Sequence, residues 1–246
     1  MAFDFSAAYD SLNPGEDDHR FYCAVARDLG AARIVDLGCG TGVLATMLAA
    51  VSGREVVGID PDPAMLDVAR TRAGGTAVRW IEGTAAEMEP GWADLVTMTG
   101  HVSQVFVADG HWERTLGEIA GGLAADGVVA FEMRDPAAER WRGWTHESTA
   151  RTIETPEGPV EVWHETVEVA LPTVTYSSHA KHLHTGRTAV AVDTLAFRDE
   201  QALRSSLADA GFVDIEVCGA WDGGPVVPGE TLELIAIARL SAGSPR

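Results

Sequence analysis

The chain predicts an α/β protein: a seven-stranded, mostly parallel, doubly wound sheet with an antiparallel β-meander inserted after the fifth strand. Three observations carry this reading. Over the first 130 residues, short β-branched runs alternate with stretches of helical periodicity. From about residue 149 to 197 that rhythm stops and two-residue alternation replaces it. Beyond residue 200 one further helix and two further strands follow.

The predicted strands of the first part are 32–36, 55–59, 77–81, 93–98 and 128–133. Phe21, Ala24, Val25 and Leu29 form an apolar stripe before the first of them. Val43, Leu44, Met47 and Leu48 form one after it. Met65, Leu66 and Ala69 follow the second strand, and Trp112, Leu116, Ile119 and Leu123 precede the fifth. Strand and helix in this order specify parallel strands joined by right-handed crossovers, with helices on both faces.

In the insert, Pro156-Glu157-Gly158-Pro159, Leu171-Pro172 and Thr185-Gly186 punctuate four strands. Alternation runs through Val160, Val162 and His164, and through Ala189, Ala191, Asp193, Leu195 and Phe197. Leu203, Leu207 and Ala210 then make a helix ended by Gly211, before strands at 213–218 and 232–240. The expected organisation is an α/β domain from 1–136 and 198–240, a β-rich insert at 137–197 standing over the strand ends, and a tail at 241–246.

Bulk properties exclude some function classes. The 246 residues carry a net charge of −19, and Lys181 is the only lysine. Such a surface repels phosphate backbones, which argues against nucleic acid as a partner. No apolar run reaches the roughly 18 residues of a membrane span, and the first ten residues lack a basic leader. A cytoplasmic protein without membrane attachment is the expectation. Cys23, Cys39 and Cys218 are odd in number and far apart, as reduced thiols would be. The sequence leaves the oligomeric state open.

The strongest chemical signal is Asp36-Leu37-Gly38-Cys39-Gly40-Thr41-Gly42, where the first strand meets a helix. Glycines there let a ligand approach bare backbone amides. Gly40 to Ala45 also satisfies the G-x-G-x-x-A dinucleotide fingerprint, so a nicotinamide nucleotide, and with it an oxidoreductase, is an alternative. Charge separates the two ligands. Asp36 at the strand end repels a pyrophosphate, and no Lys or Arg between it and Gly53 offsets that charge. Asp60, ending the second strand, is placed to accept ribose hydroxyls. Together the two acids favour a ligand carrying an ammonium and a sulfonium in place of phosphates.

The same residues resemble the first motif of class I, Rossmann-like methyltransferases that use S-adenosylmethionine. Residues 58–66 are similar to that family's second motif, 83–86 to its third, 93–96 to its fourth, and 123–128 to the approach to strand five. The resemblance implies methyl transfer with S-adenosylmethionine as cofactor. It implies that Gly38, Cys39, Gly40 and Gly42 back the methionine moiety and that Asp36 meets its amino group, directly or through water. It gives the ribose to Asp60. Pro61 and Met65 would pack on the adenine, with Thr84, Ala85 and Ala86 at its edge. The family often has Asp where Thr84 stands, a departure that weakens the adenine contact there. Thr99 and Gly100, after strand four, and Tyr9, in a segment that closes over the cofactor in similar enzymes, complete the set.

Methyl transfer at a sulfonium-activated carbon asks chiefly for orientation and exclusion of water. A base is required only when the acceptor must shed a proton. His101, in Thr99-Gly100-His101-Val102-Ser103-Gln104, is the candidate base, or else a capping or packing histidine. Arg134, after strand five, reads either as a rim salt bridge or as a bidentate holder of an acceptor carboxylate. Tyr22 has packing or closure as equal readings. Trp141, Trp144 and Trp221 read first as core or lid aromatics. His179, His182 and His184 cannot share one metal without a bulge, so no metal is expected. The acceptor is expected to be a small molecule, methylated at oxygen or nitrogen. A non-methylating binder of the same cofactor is a further alternative.

Overall fold

A computed structural model describes residues 8–13, 17–155 and 158–242. The strands are β1 (Arg33–Leu37), β2 (Glu55–Asp60), β3 (Val78–Glu82), β4 (Ala93–Met98), β5 (Leu123–Arg134), β6 (Arg151–Thr155), β7 (Gly158–Ala170), β8 (Thr173–His182), β9 (Thr188–Ala196), β10 (Phe212–Cys218) and β11 (Glu233–Leu240). The helices are α1 (Tyr9–Leu12), α2 (Asp17–Asp28), α3 (Val43–Ala49), α4 (Pro63–Thr71), α5 (Asp109–Gly122), α6 (His146–Thr149) and α7 (Glu200–Asp209).

Seven strands form one sheet in the order β10-β11-β5-β4-β1-β2-β3. β1 to β5 pair in parallel, while β11 runs antiparallel to both β5 and β10. The order reverses between β1 and β4, where an open α/β sheet leaves a crevice beyond its strand ends. Strand alternation divides the interior. Val35 and Leu37 enter the cluster with Trp112, Leu116, Ile119 and Leu203, from α5 and α7. Ile34 enters the opposite one with Tyr22, Ala26, Leu44 and Leu48, from α2 and α3. Asp36 shares the face of Ile34, and so do Ala130, Glu132 and Arg134 of β5.

The insert forms the second sheet, β6-β7-β8-β9, antiparallel throughout. Its four strands match expectation; residues 156 and 157 of the first predicted turn, and 243–246 of the predicted tail, lie outside the described residues. On one face stand Val162 and His164 of β7, Tyr176 and Ser178 of β8, and Ala191 and Asp193 of β9, as register and alternation require. A cluster of Trp141, Val174, Leu195 and Phe197, with Trp144 and Tyr176 against it, roots this sheet beside the end of β5. Gln104 adds a polar tie, donating Nε2 to the Ala196 carbonyl at 3.0 Å.

Three helix faces differ from the predicted stripes. α2 buries Tyr22 and Ala26 rather than Leu29, which is 38% exposed beyond the helix end. Tyr22 takes the inward place because its hydroxyl has a partner there. Met47 is also exposed, and Ala45 packs in its stead. Leu123 is buried but opens β5 instead of closing α5.

Candidate active site

The glycine loop is held from behind. Gly38 and Cys39 donate their amides to the Ile59 carbonyl at 2.7 and 3.1 Å, clamping the loop to β2. The three glycines have left-handed φ of 70°, 51° and 78° but serve different ends. A Cβ on Gly38 would meet Val102, and one on Gly42 would meet Trp80, each at 2.4 Å. Only at Gly40 would a side chain enter open space. Gly38 and Gly42 are therefore glycines for packing, and Gly40 is the bare approach.

Asp60 anchors the same loop. Its Oδ2 accepts from the Gly40 amide at 2.8 Å and its Oδ1 from the Asp62 amide at 2.9 Å. Burial raises its pKa, against those two bonds. Asp36 lies under α3 at 1% exposure, behind the cavity wall rather than on it. Thr97 Oγ1 donates to its Oδ1 at 2.9 Å, and its buried Oδ2 has no hydrogen-bond partner. Burial pushes Asp36 up to about 7. Asp36 therefore contributes only part of a charge to the negative field at the loop near neutral pH.

A cavity of about 760 Å³ opens in front of the loop and extends to the second sheet. Gly38, Cys39, Gly40, Thr41 and Met65 line one end; Val162, His164, Tyr176, Ser178 and Asp193 line the other. Thr99, Gly100 and His101 lie between. α1 crosses this opening. Thr41 donates Oγ1 to Asp10 at 2.6 Å, Arg72 pairs with Asp10 and donates Nε to the Thr41 carbonyl at 2.7 Å, and Arg151 of β6 donates to the Leu12 carbonyl. Ala8 packs with Val160, Val162 and Ala180. Tyr9 thereby lines the cavity, its phenol raised by burial and then by the field of Asp60. Arg72 is the cation that inspection of residues 36–53 misses; α4 returns it to the loop, where Asp10 engages it.

His101 follows Gly100 at φ 65°, an uncommon conformation for a residue with a side chain. Its amide donates to Glu132 Oε1 at 2.7 Å, and Tyr22 donates its hydroxyl to Glu132 Oε2 at 2.5 Å. Glu132 is fully buried, and burial raises its pKa. The ring Nε2 donates to Glu233 Oε2 at 2.9 Å, which leaves Nδ1 as the basic nitrogen. His101 sits at the start of a short 3₁₀ turn without capping it through its side chain.

On the second sheet, His164 Nδ1 meets Ser178 Oγ at 3.1 Å. Burial lowers the His164 pKa and raises that of Tyr176. Among the described residues Arg134 makes no rim salt bridge. It is half-buried, lines the cavity, donates Nη1 to Gln104 Oε1 at 2.9 Å and lies over Trp144 at 5.5 Å.

The cavity thus gathers Tyr9, Gly38, Cys39, Gly40, Met65, Thr99, Gly100 and His101 of the predicted residues. Asp36, Gly42, Asp60, Pro61, Thr84, Ala85 and Ala86 are not on its wall. Thr84 is occupied locally: its hydroxyl accepts from the Ala86 amide and Glu87 binds back to its own amide. Ala85 is buried in the core. Cys39 is a buried thiol whose pKa burial raises. Tyr22, Trp141 and Trp221 are packing residues. His179 stacks on Trp163 at 4.6 Å, facing away from His182. Glu233, Tyr176, Ser178 and Asp10 are site residues that the sequence did not single out, and Gln104 entered only as the end of the run after strand four. Alternation of β8 predicts Tyr176 with Ser178; nothing local signals Glu233.

A parallel sheet with an antiparallel last strand, a glycine loop at the switch point and an acid ending β2 defines the Rossmann-like class I architecture. Residues 34–127 match the methyltransferase-domain family. Demethylmenaquinone methyltransferase of Thermus thermophilus is 37% identical over 118 residues, 46% of this chain and 52% of its own. The chain spans about half or less of the length of the curated relatives it matches. Two solved structures share the whole fold: the CcbJ methyltransferase of Streptomyces caelestis (TM-score 0.77, 19% identity, 97% of each chain) and the S-adenosylmethionine-bound amino pentose methyltransferase CalS10 of Micromonospora echinaspora (0.72, 19%, 98% of each). Residues 34–127 are thus similar to a methyltransferase domain, and the whole chain has the fold of the S-adenosylmethionine-dependent methyltransferases that it resembles. No helix among the described residues is long and apolar enough to cross a membrane.

Proposed function

We propose that the chain transfers the methyl group of S-adenosylmethionine to oxygen or nitrogen of a small molecule held against the second sheet. The observation that carries this is the single cavity running from Gly40 to His164, Tyr176 and Ser178. The residues fit the cofactor: an open backbone approach at Gly40, an acid at the end of β2, and an unpartnered buried Asp36 oxygen favouring a cation nearby. Bound there, the cofactor supplies a methyl carbon already activated by its sulfonium.

On this reading Gly38, Cys39 and Gly40 back the methionine part, Met65 flanks the adenine with Pro61 behind it, and Asp60, 8% exposed just behind the wall where it holds the Gly40 amide, takes the ribose through its remaining lone pairs. Tyr9 covers them. Asp36 acts through its field, beneath α3. The insert is the acceptor-binding lid, and its inner face orients the acceptor and excludes water. His101, held by Glu132 at its amide and by Glu233 at Nε2, accepts the acceptor's proton on Nδ1 as the new bond forms. The departing sulfur keeps the electron pair of the broken carbon–sulfur bond.

Calorimetry with S-adenosylmethionine against NADH is the first test. Saturable binding of the sulfonium compound alone supports the proposal; preference for NADH abolishes it in favour of an oxidoreductase. Once an acceptor is known, His101→Gln is expected to lower kcat by about 100-fold, the low end for a general base, with little change in KM. An unchanged kcat would leave His101 a packing residue. A cofactor-loaded protein that methylates nothing across a broad acceptor panel would support a non-methylating binder.

A further inference from the structure

We infer that the acceptor is a small monocarboxylate and that Arg134 holds its carboxyl group, an inference that rests on the proposed acceptor cavity. Arg134 is the only arginine or lysine lining that cavity, among the described residues. The other charged lining residues are Asp10, Asp18, Asp62 and Asp193, in a chain of net charge −19. A guanidinium sunk into such a wall would ordinarily be paired with one of those acids. Among the described residues it makes no ion pair; its partners are the amide oxygen of Gln104 and the face of Trp144, both neutral.

The one carboxylate directly opposite on the neighbouring strand is Glu233, in register with Arg134 on β11. Glu233 is turned to His101 instead, at 2.9 Å. Gln104 and Trp144 therefore fix the guanidinium without neutralising it, and burial lowers its pKa although the fields of Glu233 and Glu132 act in the opposite sense. With Nη1 given to Gln104, the Nε and Nη2 donors remain to receive a planar, two-oxygen anion side by side. A single cation among acids suits a monoanion better than a dianionic phosphate. Tyr176 and His164 stand on the same stretch of wall, 5.8 Å between ring centres, to flank the body of such a molecule.

The test uses the full chain loaded with S-adenosylhomocysteine. Benzoate and acetate, their primary amides, and phenyl phosphate are titrated in, with binding read by saturation-transfer NMR and affinity by calorimetry. Carboxylates are expected to bind at least tenfold more tightly than the matched amides and than phenyl phosphate. Arg134→Gln is expected to remove that preference and Arg134→Lys to reduce it, while the affinity for S-adenosylhomocysteine stays within twofold. The inference is overturned if neither carboxylate binds, if the amides bind equally well, if phenyl phosphate is preferred, or if both variants retain the wild-type preference. Should S-adenosylhomocysteine fail to bind the wild type, the methyl-transfer proposal falls. Carboxylate titration of the unloaded chain then still decides the role of Arg134.

Discussion

The two ends of the cavity are made of different material. At the glycine loop the wall is backbone: Gly38 to Gly40, whose amides are turned back onto Ile59 and Asp60. At the second sheet it is side chains, one from every other position of β7, β8 and β9. A backbone wall demands particular residues, because Gly38 and Gly42 have no room for a Cβ. A side-chain wall demands only alternation and leaves the residues free to change with the acceptor. On the proposed reading, the contrast teaches that the cofactor end should fail abruptly when altered and the acceptor end gradually.

The largest expected effect lies at the loop and concerns pH. Asp36 has a folded pKa of about 7 against an ordinary value of 3.8. A group raised in this way favours the folded state most below its unfolded pKa, and that contribution is lost as pH rises towards 7. Relative to Asp36→Asn, the cofactor-free wild type should lose about 1.4 kcal/mol of stability per pH unit between roughly pH 4 and 7, then level off. Denaturant unfolding of both proteins across that range measures the difference. A flat difference would mean that Asp36 is ionised throughout, and the loop would then carry its full negative charge.

The next effect is on affinity. Asp60→Ala removes the acceptor of the Gly40 and Asp62 amides as well as the proposed ribose contact. Hydrogen bonds to a charged partner contribute roughly 1.5–3 kcal/mol each, so S-adenosylmethionine should bind about 100-fold more weakly by calorimetry. Affinity within threefold of wild type would place the ribose elsewhere and break the contrast at its strong end.

The same contrast explains what the sequence disclosed. The loop was legible because its glycines sit in one short run between a β-branched strand and a helical stripe. The eleven strands among the described residues fall near runs read from β-branched stretches, alternation or turn signals, all of them local properties. What stayed hidden joins distant parts of the chain. Tyr22 meets Glu132 across 110 positions, and that bond turns α2 so that Leu29 is left outside. His101 finds Glu233 across 132 positions. Arg72 reaches Asp10 through a fold that neither residue signals. Asp36 was readable as an acid beside the loop but not as a buried one. Its side follows from Ile34, two residues earlier, only once α3 is seen to cover that face.

A smaller effect is expected at α1, which touches both ends. Asp10 joins Thr41 and Arg72, with Arg72 22% and Asp10 47% exposed. An exposed pair of this kind contributes at most about 1 kcal/mol, and the hydroxyl bond about as much again. Asp10→Ala should therefore speed release of S-adenosylmethionine by roughly fivefold, a change of about 1 kcal/mol, in stopped-flow displacement. Unchanged release would show that α1 packs beside the cofactor without retaining it.

The smallest expected effect is the sharpest test of the division. Ser178→Ala removes the partner of His164 Nδ1 in the middle of the side-chain wall. If the two ends work separately, S-adenosylmethionine affinity should stay within twofold of wild type by calorimetry. The expectation is not trivial, because a path between the ends exists: Ala8 packs on Val162, two residues before His164, and Asp10 in the same segment holds Thr41 of the loop. For the substitution to be felt at the loop, α1 would have to move as a body, and Arg72 together with the Arg151 bond to Leu12 opposes that motion. A several-fold change in affinity would show that the strap transmits strain despite those anchors. The second sheet would then help to set cofactor affinity, and the two walls would have to be treated as one binding site.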